Sequence, residues 1–370
     1  MNGEKSHSVT IVLPIKDRIP FTMRWLDYAR LCMFSGKILI ADGGKKNTLA
    51  EELRKEKYKN LDIEYLRYPY DETLGCYFKK MSDVLQLVET PYALMADDDD
   101  FFLFDGIIDS VDFLNHNPDY VTCRGGLGIV TVAQPVNSDN VYGNAVFSNI
   151  RHDNSIEQES AHERLQNQCM TYSLTCYDVH RTEVIQNSYS ALYQLDFKDI
   201  FLSELLTSYL TVVSGKIKRI SGLYLLRQSN PPQSSATAAN QRADYFDRLL
   251  LDSWSTDING MIERIANLVC EIDKIDFEMA IDLVRSSYKY KMKATLKKFL
   301  LQEDRVNETF FRKAASYVQS MNDSSRLKKI IYGLMRKYRY IKGDERSILN
   351  SSKSPYFAEF KLIQNIIRSS

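Results

Sequence analysis

Four consecutive aspartates, Asp97, Asp98, Asp99 and Asp100, follow directly on the apolar run Tyr92-Ala93-Leu94-Met95-Ala96 and directly precede Phe101-Phe102-Leu103-Phe104. Neighbouring like charges repel, and an ionised carboxylate is costly to bury unpaired, so such a run is no packing device and calls for a balancing cation. Clustered hard oxygen donors suit Mg²⁺ or Mn²⁺, and Mg²⁺ sites commonly combine one or two carboxylates with the phosphates of a substrate. The competing reading is a solvated acidic turn without a ligand, and the apolar runs on both sides weigh against it. A further acid, Asp42, ends the run Lys37–Ala41 and is followed by Gly43 and Gly44. That pattern fits a ligand contact or an ordinary turn.

The elements that must position these acids alternate. Short β-branched runs at Val9–Leu13, Lys37–Ala41, Ile63–Arg67 and Tyr92–Ala96 predict strands, the first stopped by Pro14. Helical patterns at Phe21–Phe34, Thr48–Tyr58 and Gly75–Val88 lie between them, with Thr48 as a cap. The alternation predicts an α/β fold with a mostly parallel sheet flanked by helices. In open α/β sheets ligands bind beyond the carboxyl ends of the strands, so Asp42 and the aspartate run are expected to share one crevice.

Further along, Asp105–Leu114 predicts a helix and Tyr120–Val132 strand material broken by Gly125, Gly126 and Gly128. Ala133–Gln168 is polar and predicts a loop-rich insertion that lids or recognises a substrate. A strand is expected over Met170–His180, an apolar helix over Ile200–Ser214 closed by Gly215, and two strands at Lys216–Ile220 and Leu223–Leu226. Arg227–Ala239, rich in Pro, Ser and Asn, reads as a linker. Helices are then expected at Tyr245–Leu251, Ile258–Cys270, Phe277–Leu301, Val306–Met321, Leu327–Tyr338 and Pro355–Ile367. The organisation expected is a catalytic unit over 1–230 with halves 1–104 and 105–230, a linker over 231–240, and an all-helical region over 241–370.

Composition narrows the partners. The 370 residues balance 48 Lys and Arg against 48 Asp and Glu, so no global field favours nucleic acid. Six dispersed cysteines without a C-x-x-C pair predict reduced, buried thiols. The polar N-terminus lacks the apolar core of a signal peptide, and no segment has the uninterrupted apolar length of a membrane span, so a cytoplasmic location is expected.

These motifs, in this order, resemble the family 2 glycosyltransferases of the GT-A fold, of the type found in bacterial surface-polysaccharide synthesis, over about Val9 to Arg227. Asp97-Asp98-Asp99 matches the family's Asp-x-Asp motif after an apolar strand, and a register one residue later would use Asp98 and Asp100. By resemblance, Asp99 and Asp97 would hold Mn²⁺ or Mg²⁺ and, with Asp98, the sugar nucleotide. Pro14, Lys16, Asp17 and Arg18 look like the loop that lines the nucleotide, Asp42 and Gly43 like the acid and small residue beside the base or ribose, and Lys80 (or Lys79) like the basic residue near the diphosphate. The Lys pair reads equally as a solvated helix face. Arg227 and Gln228 are candidates to neutralise the departing diphosphate. The family's general base sits on a helix that ends in glycine about eleven residues on, which places Glu204 at the acid, with Ser203 where the family commonly has Glu and Asp199 as the rival. Either acid also fits a structural cap or ion pair.

The resemblance implies a metal-dependent, inverting transfer from a nucleotide-diphosphate sugar donor to a glycan or lipid-linked acceptor. A nucleotidyltransferase of similar fold would carry a glycine-rich loop with Arg after the first strand, which Pro14–Arg18 lacks; a non-catalytic sugar-nucleotide or glycan-binding module would need no downstream acid. His152, His162, Glu163 and Arg164 in the polar insertion, with the segment around Tyr177 and Arg181, fall on the acceptor side. Between Arg285 and Lys342 stand 16 Lys and Arg against Glu303, Asp304, Glu308 and Asp323. Such basic helices suit peripheral contact with an anionic membrane at the inner face of the plasma membrane, each cation adding ~1 kcal/mol, or simply a helical cap with its basic face in water. A homodimer is left open.

Overall fold

The computed structural model describes residues 8–133, 141–229, 248–301, 352 and 354–368. Its centre is one nine-stranded sheet in the order β3-β2-β1-β4-β8-β6-β9-β5, with β7 paired to β6. The strands are β1 Val9–Ile15, β2 Lys37–Asp42, β3 Asp62–Arg67, β4 Tyr92–Met95, β5 Phe101–Phe102, β6 Tyr120–Ala133, β7 Asn144–Arg151, β8 Val179–Arg181 and β9 Lys216–Gln228. The half β3-β2-β1-β4 is wholly parallel, and so is the long β6–β9 ladder; β8, β7 and β5 join antiparallel. The expected α/β architecture, a mostly parallel sheet between helices, is the one observed.

Helices cover both faces: α1 Ile19–Leu31, α2 Leu49–Glu52, α3 Leu74–Gln86, α4 Phe104–His116, α5 Ala161–Thr171, α6 Thr182–Leu195, α7 Ile200–Ser214, α8 Trp254–Asp273, α9 Phe277–Leu301 and α10 Phe357–Arg368. The strand period of two divides the side chains between two cores. Val9, Ile11, Leu13, Ile38, Ile40, Tyr92 and Leu94 pack with Trp25 and Leu26 of α1 and Ile107 and Val111 of α4. Val12, Leu39, Ala41, Ala93 and Met95 face the other way, onto Met81 and Val84 of α3, Leu192 of α6 and Leu206 and Val213 of α7. Because both faces are covered, the strands read as near-continuous apolar runs. α8 and α9 extend the second core through Met261, Ile265, Ala280 and Val284. α10 closes a third cluster, where Phe360 stacks on Phe147 of β7 with ring centroids 4.5 Å apart.

Several expectations are corrected. β1 runs through Pro14, which pairs with Ala41, to Ile15. β4 ends opposite Val12, so beyond it β1 is an edge on that side and tolerates a residue without an N–H. The helix expected over Thr48–Tyr58 is a single turn followed by a 3₁₀ turn at Glu56–Tyr58, and Thr48 makes no side-chain cap. The polar insertion holds β7 and α5. In place of a strand over Met170–His180, α5 ends at Thr171, Tyr172 follows with φ 30°, and only Val179–Arg181 is extended. α5 has few apolar positions on its inner face, Ala161, Leu165 and Cys169, and fills the rest with buried Arg164 and Gln168. Arg164 donates to the Val212 and Val213 carbonyls at the end of α7, and Gln168 to the Ser173 carbonyl. Polar side chains thus do interior work that a hydropathy pattern does not report. α6 was not expected either; its buried face is partly polar, Thr182 and Ser188 among Val184, Ile185 and Leu192.

The two strands expected after α7 form one, β9. Gly215, between α7 and β9, is extended rather than left-handed, and a Cβ there would stand 2.4 Å from Val121 Cγ1, so it serves close approach and not a helix cap. None of the six cysteines is paired; Cys123 and Cys169 are buried, while Cys76 is exposed. The helices expected at Val306–Met321 and Leu327–Tyr338 lie outside the described residues, as do residues 245–247 of the helix expected over Tyr245–Leu251. The other expected C-terminal helices correspond to α8, α9 and α10.

A buried ionic network ties β6, β9 and the segments before α5 and β8. Arg124 contacts Asp178 (2.9 Å) and Asp153, and Arg219 donates to Asp178 (2.7 Å); Arg124 and Asp178 are wholly buried. Removing one partner leaves uncompensated charge in a dry interior. Arg124→Met is expected to lower unfolding free energy by about 3–5 kcal/mol in urea titrations, with unchanged m-value; a loss within experimental error would show that the network contributes nothing net.

Candidate functional site

Chain order in the parallel half runs from β1 outward to β2 and β3, then returns to β4 on the other flank of β1. That reversal opens a crevice beyond the carboxyl ends of β1 and β4, where ligands of open α/β sheets bind. The Ala96 N–H still bonds the Val12 carbonyl, and the next four residues turn sharply, the Asp100 N–H reaching the Asp97 carbonyl, before the chain re-enters the sheet as β5.

Each carboxylate of the turn has its own partner. Asp97 accepts from the Tyr177 hydroxyl. Asp98 points inward, accepting from Thr22 Oγ1 at 3.2 Å and lying 3.4 Å from Arg18 Nη1. Asp99 accepts from Arg18 Nη2 at 2.9 Å. Asp100 accepts from the Gln228 N–H at 2.9 Å and Arg227 Nε at 3.2 Å, both at the end of β9. Asp97, Asp99 and Asp100 each offer an oxygen within 4.8 Å of the others.

That all-oxygen set suits a hard divalent cation, and the crowding of the carboxylates points the same way. Burial raises the pKa of Asp97, and the charge of Asp99 adds to it; the same two causes push Asp100 well above the carboxylate range. The residues therefore fit the ion that the resemblance implies, with Asp100 joining the expected Asp97 and Asp99. Asp98 is turned away from the trio, pushed up to about 7 by burial against the pull of Arg18.

Arg24, on the buried face of α1, was not anticipated from sequence. It donates to the Asp99 carbonyl (3.3 Å), the Gln228 side chain (2.9 Å) and the Val141 carbonyl, and burial lowers its pKa to about 10. A cation at an otherwise apolar helix position, between Trp25 and Met23, was the available signal. Tyr177, expected on the acceptor side, lies against Asp97, with its hydroxyl also accepting from Arg227 at 3.1 Å.

The nucleotide-side candidates gather at the tips of β1 and β2. Asp42 has three partners: it accepts from the Gly44 N–H (2.8 Å) and the Tyr65 hydroxyl (2.7 Å) and pairs with Arg67 (2.8 Å). Asp17, with φ 56°, accepts from the Lys45 N–H at 2.6 Å and the Lys46 N–H at 3.3 Å, binding the two loops together. Lys16 donates to the Asp71 carbonyl and, with Lys45, flanks the Tyr70 ring at 4.6 and 4.7 Å. Pro14 lies within the sheet.

Lys80 is buried and held by the Asp71 carboxylate and the Ile15 carbonyl (3.3 Å), and so is placed beneath the loops; Lys79 is exposed and pairs with Asp83 at 2.6 Å. Gly43 stands over Asp71, where a Cβ would fall 2.3–2.5 Å from the carboxylate. Asp71 was missed, and the bare sequence offers no mark that separates it from other loop acids.

The two candidate bases differ in setting. Asp199 is the N-cap of α7: it accepts from the Leu202 N–H (3.0 Å) and Arg248, and is buried. Glu204, one turn on, is exposed, and among the described residues nothing hydrogen-bonds its carboxylate. Partial desolvation raises its pKa, opposed by Arg227 and assisted by Asp97, and its contact with water screens these charges. Tyr172, Cys176 and Tyr189 feel the charge of Glu204, and Cys176 and Tyr189 also that of Asp97. His152 packs against Gly126 of β6, and His162 pairs with Asp273 at 2.9 Å; neither joins the aspartate turn. A cavity of about 620 Å³ beside α9, lined by Leu249, Lys289, Tyr290, Lys293 and Leu296, shares no residue with the site.

Fold and site together define an α/β protein with a three-carboxylate turn at the switch point of its sheet. No family model matches the sequence, and no curated protein matches it. Among solved structures the chain is similar to TarS of S. aureus at 12% identity and a TM-score of 0.47, covering 76% of this chain and 42% of that one. A second TarS structure, residues 1–349 in complex with UDP-GlcNAc, is matched at 13% identity and a TM-score of 0.46, over 79% of this chain and 75% of that one. The mannosyltransferase PcManGT of Pyrobaculum calidifontis, in complex with GDP-Man and Mn²⁺, is matched at 9% identity and 0.38, over 97% and 84%. The chain thus spans less than half the length of the first TarS chain.

The upward shift of Asp98 has a stability consequence. Its folded pKa of about 7 lies above the ordinary 3.8 of the unfolded chain, so its contribution is intact below pH 4 and is lost as pH rises towards 7. Asp98→Asn removes that titration. In chelator, the variant is expected to gain on wild type by about 2 kcal/mol more at pH 8 than at pH 5 in urea melts; an equal difference at both pH values would contradict the assignment.

Proposed function

We propose that the protein is a glycosyltransferase of the GT-A type that moves a sugar from a nucleotide-diphosphate donor to a hydroxyl of a glycan or lipid-linked acceptor, with inversion. The observation that carries this reading is the gathering of the Asp97, Asp99 and Asp100 oxygens within 4.8 Å of one another at the end of β4; the exposed Glu204, whose pKa the charge of Asp97 helps to raise, supplies a separate acid. An acidic trio at a sheet switch point suits a cation and a pyrophosphate, and a separate acid with raised pKa suits proton removal.

In this mechanism Asp99, with Asp97 and Asp100, would hold Mn²⁺ or Mg²⁺. The ion supplies Lewis-acid neutralisation of the diphosphate. The loops bearing Lys16, Asp17, Arg18, Asp42 and Gly43 form the nucleotide cradle. Asp42 acts there through the turn it stabilises, since its oxygens are already engaged. Asp98 and Lys80 serve from beneath, fixing α1 against the turn and Asp71 under Gly43. Glu204 takes the proton of the acceptor hydroxyl as that oxygen bonds to the anomeric carbon from the face opposite the breaking bond. The bonding pair of that bond leaves with the diphosphate, and Arg227 stands beside Asp100 to offset its charge. Asp199 is assigned a structural role, holding the first turn of α7 to Arg248. Residues 1–230 are taken as the catalytic unit, with α8 and α9 covering its α5–α7 side and α10 packing on β7 and α1.

Two variants separate the acids. Glu204→Gln is expected to lower kcat by roughly 10²–10⁴-fold with nucleotide affinity retained, whereas Asp199→Asn is expected to lower melting temperature while its folded fraction still turns over. Asp99→Ala, or excess chelator on wild type, should abolish transfer and sugar-nucleotide hydrolysis. Unchanged turnover in both would refute the metal-dependent reading, and full activity in Glu204→Gln would remove it as the base.

A further inference from the structure

Three arginines surround the aspartate turn, and they are held very differently. Arg24 is 1% exposed and held at both terminal nitrogens by three carbonyl oxygens, although its Nε too is buried without a hydrogen-bond partner among the described residues. Arg227 is fixed at both Asp100 and the Tyr177 hydroxyl, with its guanidinium 4.7 Å over the Tyr177 ring. Arg18 belongs to the short loop between β1 and α1, directly after Asp17 in the left-handed region. Its side chain is 23% exposed, against 5% for Asp98 and 9% for Asp99, so it covers the turn from the solvent side.

Its bonding is incomplete. One nitrogen reaches Asp99 at 2.9 Å, another approaches Asp98 at 3.4 Å, and Nε is buried with no hydrogen-bond partner among the described residues. A guanidinium prefers paired, parallel contacts to a carboxylate or phosphate, and an unsatisfied buried donor is unfavourable. Asp99 meanwhile belongs both to this pair and to the oxygen trio. A divalent cation at the trio and Arg18 would therefore draw on the same carboxylate.

We infer that Arg18 is an exchangeable counter-ion: it neutralises Asp98 and Asp99 while the trio holds no cation, and it turns to the diphosphate oxygens when cation and nucleotide bind together. The inference rests on the proposed function and adds a coupling to it. A cation arriving alone must displace Arg18 with nothing to receive the guanidinium. A cation arriving with a diphosphate gives Arg18 a new, bidentate anionic partner. Binding of the two is then cooperative, and by linkage each tightens the other by the same factor.

The test is Mn²⁺ binding to the full-length chain, read from the electron paramagnetic resonance signal of free Mn²⁺, alone and with saturating UDP or GDP. In wild type, the effective nucleotide is expected to tighten Mn²⁺ binding by about tenfold or more. In Arg18→Gln, Mn²⁺ alone should bind about tenfold tighter than to wild type, and the nucleotide effect should shrink to about threefold or less. Arg18→Lys, which keeps the charge but not the fork, should fall between them, and it carries the test if Arg18→Gln does not fold by circular dichroism. Equal affinity of wild type and either folded variant for Mn²⁺ alone, with the nucleotide effect intact, overturns the exchange and leaves the glycosyltransferase reading standing. No Mn²⁺ binding to wild type even with nucleotide overturns both.

Discussion

The interaction on which the structure turns is the containment of four adjacent carboxyl groups at the end of β4. Asp98, Asp99 and Asp100 are buried, and without partners they would drive that end of the sheet apart. Their partners come from far along the chain: Arg18, Thr22 and Arg24 from the start, Tyr177 from the segment before β8, Arg227 and Gln228 from β9. None of these contacts is local. The turn can hold its shape only when β1, β4 and β9 are all in register, so site geometry and completion of the sheet are one event.

The tips of β1 and β2 are built on the same principle with smaller charges. Asp71 and Lys80 form a buried pair below Gly43, and the missing side chain at Gly43 lets the backbone settle over that pair. Asp17 then stitches the β1 loop to the β2 loop through main-chain donors. The acids and bases of this region mostly serve to hold backbone in place, Asp42 included, through its contacts to Gly44, Tyr65 and Arg67.

The C-terminal helices are part of this construction. Asp257 at the start of α8 accepts from the Lys198 and Asp199 N–H groups, and Asp273 at its end accepts from the first N–H groups of α5. Arg248 holds Asp199 from the same side. The orientation of α7, and with it of Glu204, thus depends on residues that follow the linker. Lys291 of α9 lies 4.3 Å from the centre of the Tyr172 ring, which ties a second helix to a side chain that feels the charge of Glu204.

Sequence by itself determined the parallel half of the sheet and the place of the aspartate turn. Strands buried on both faces must be apolar throughout, and an acid run at the end of such a strand has no packing explanation. It also singled out Arg18, Asp42, Glu204 and Arg227 as side chains worth locating. It did not disclose α5 or α6, because Arg164, Gln168 and Ser188 fill buried positions with polar groups bonded to the main chain, and hydropathy periodicity is blind to such satisfaction. Tertiary structure alone decided which aspartates face one another, that Asp98 turns inward to Thr22, that Lys80 is spent on Asp71, and that Asp199 is a cap while Glu204 stays open. These choices depend on which partner lies within 3 Å or so of each oxygen, and the partners stand up to about 130 residues away, a distance no local pattern spans.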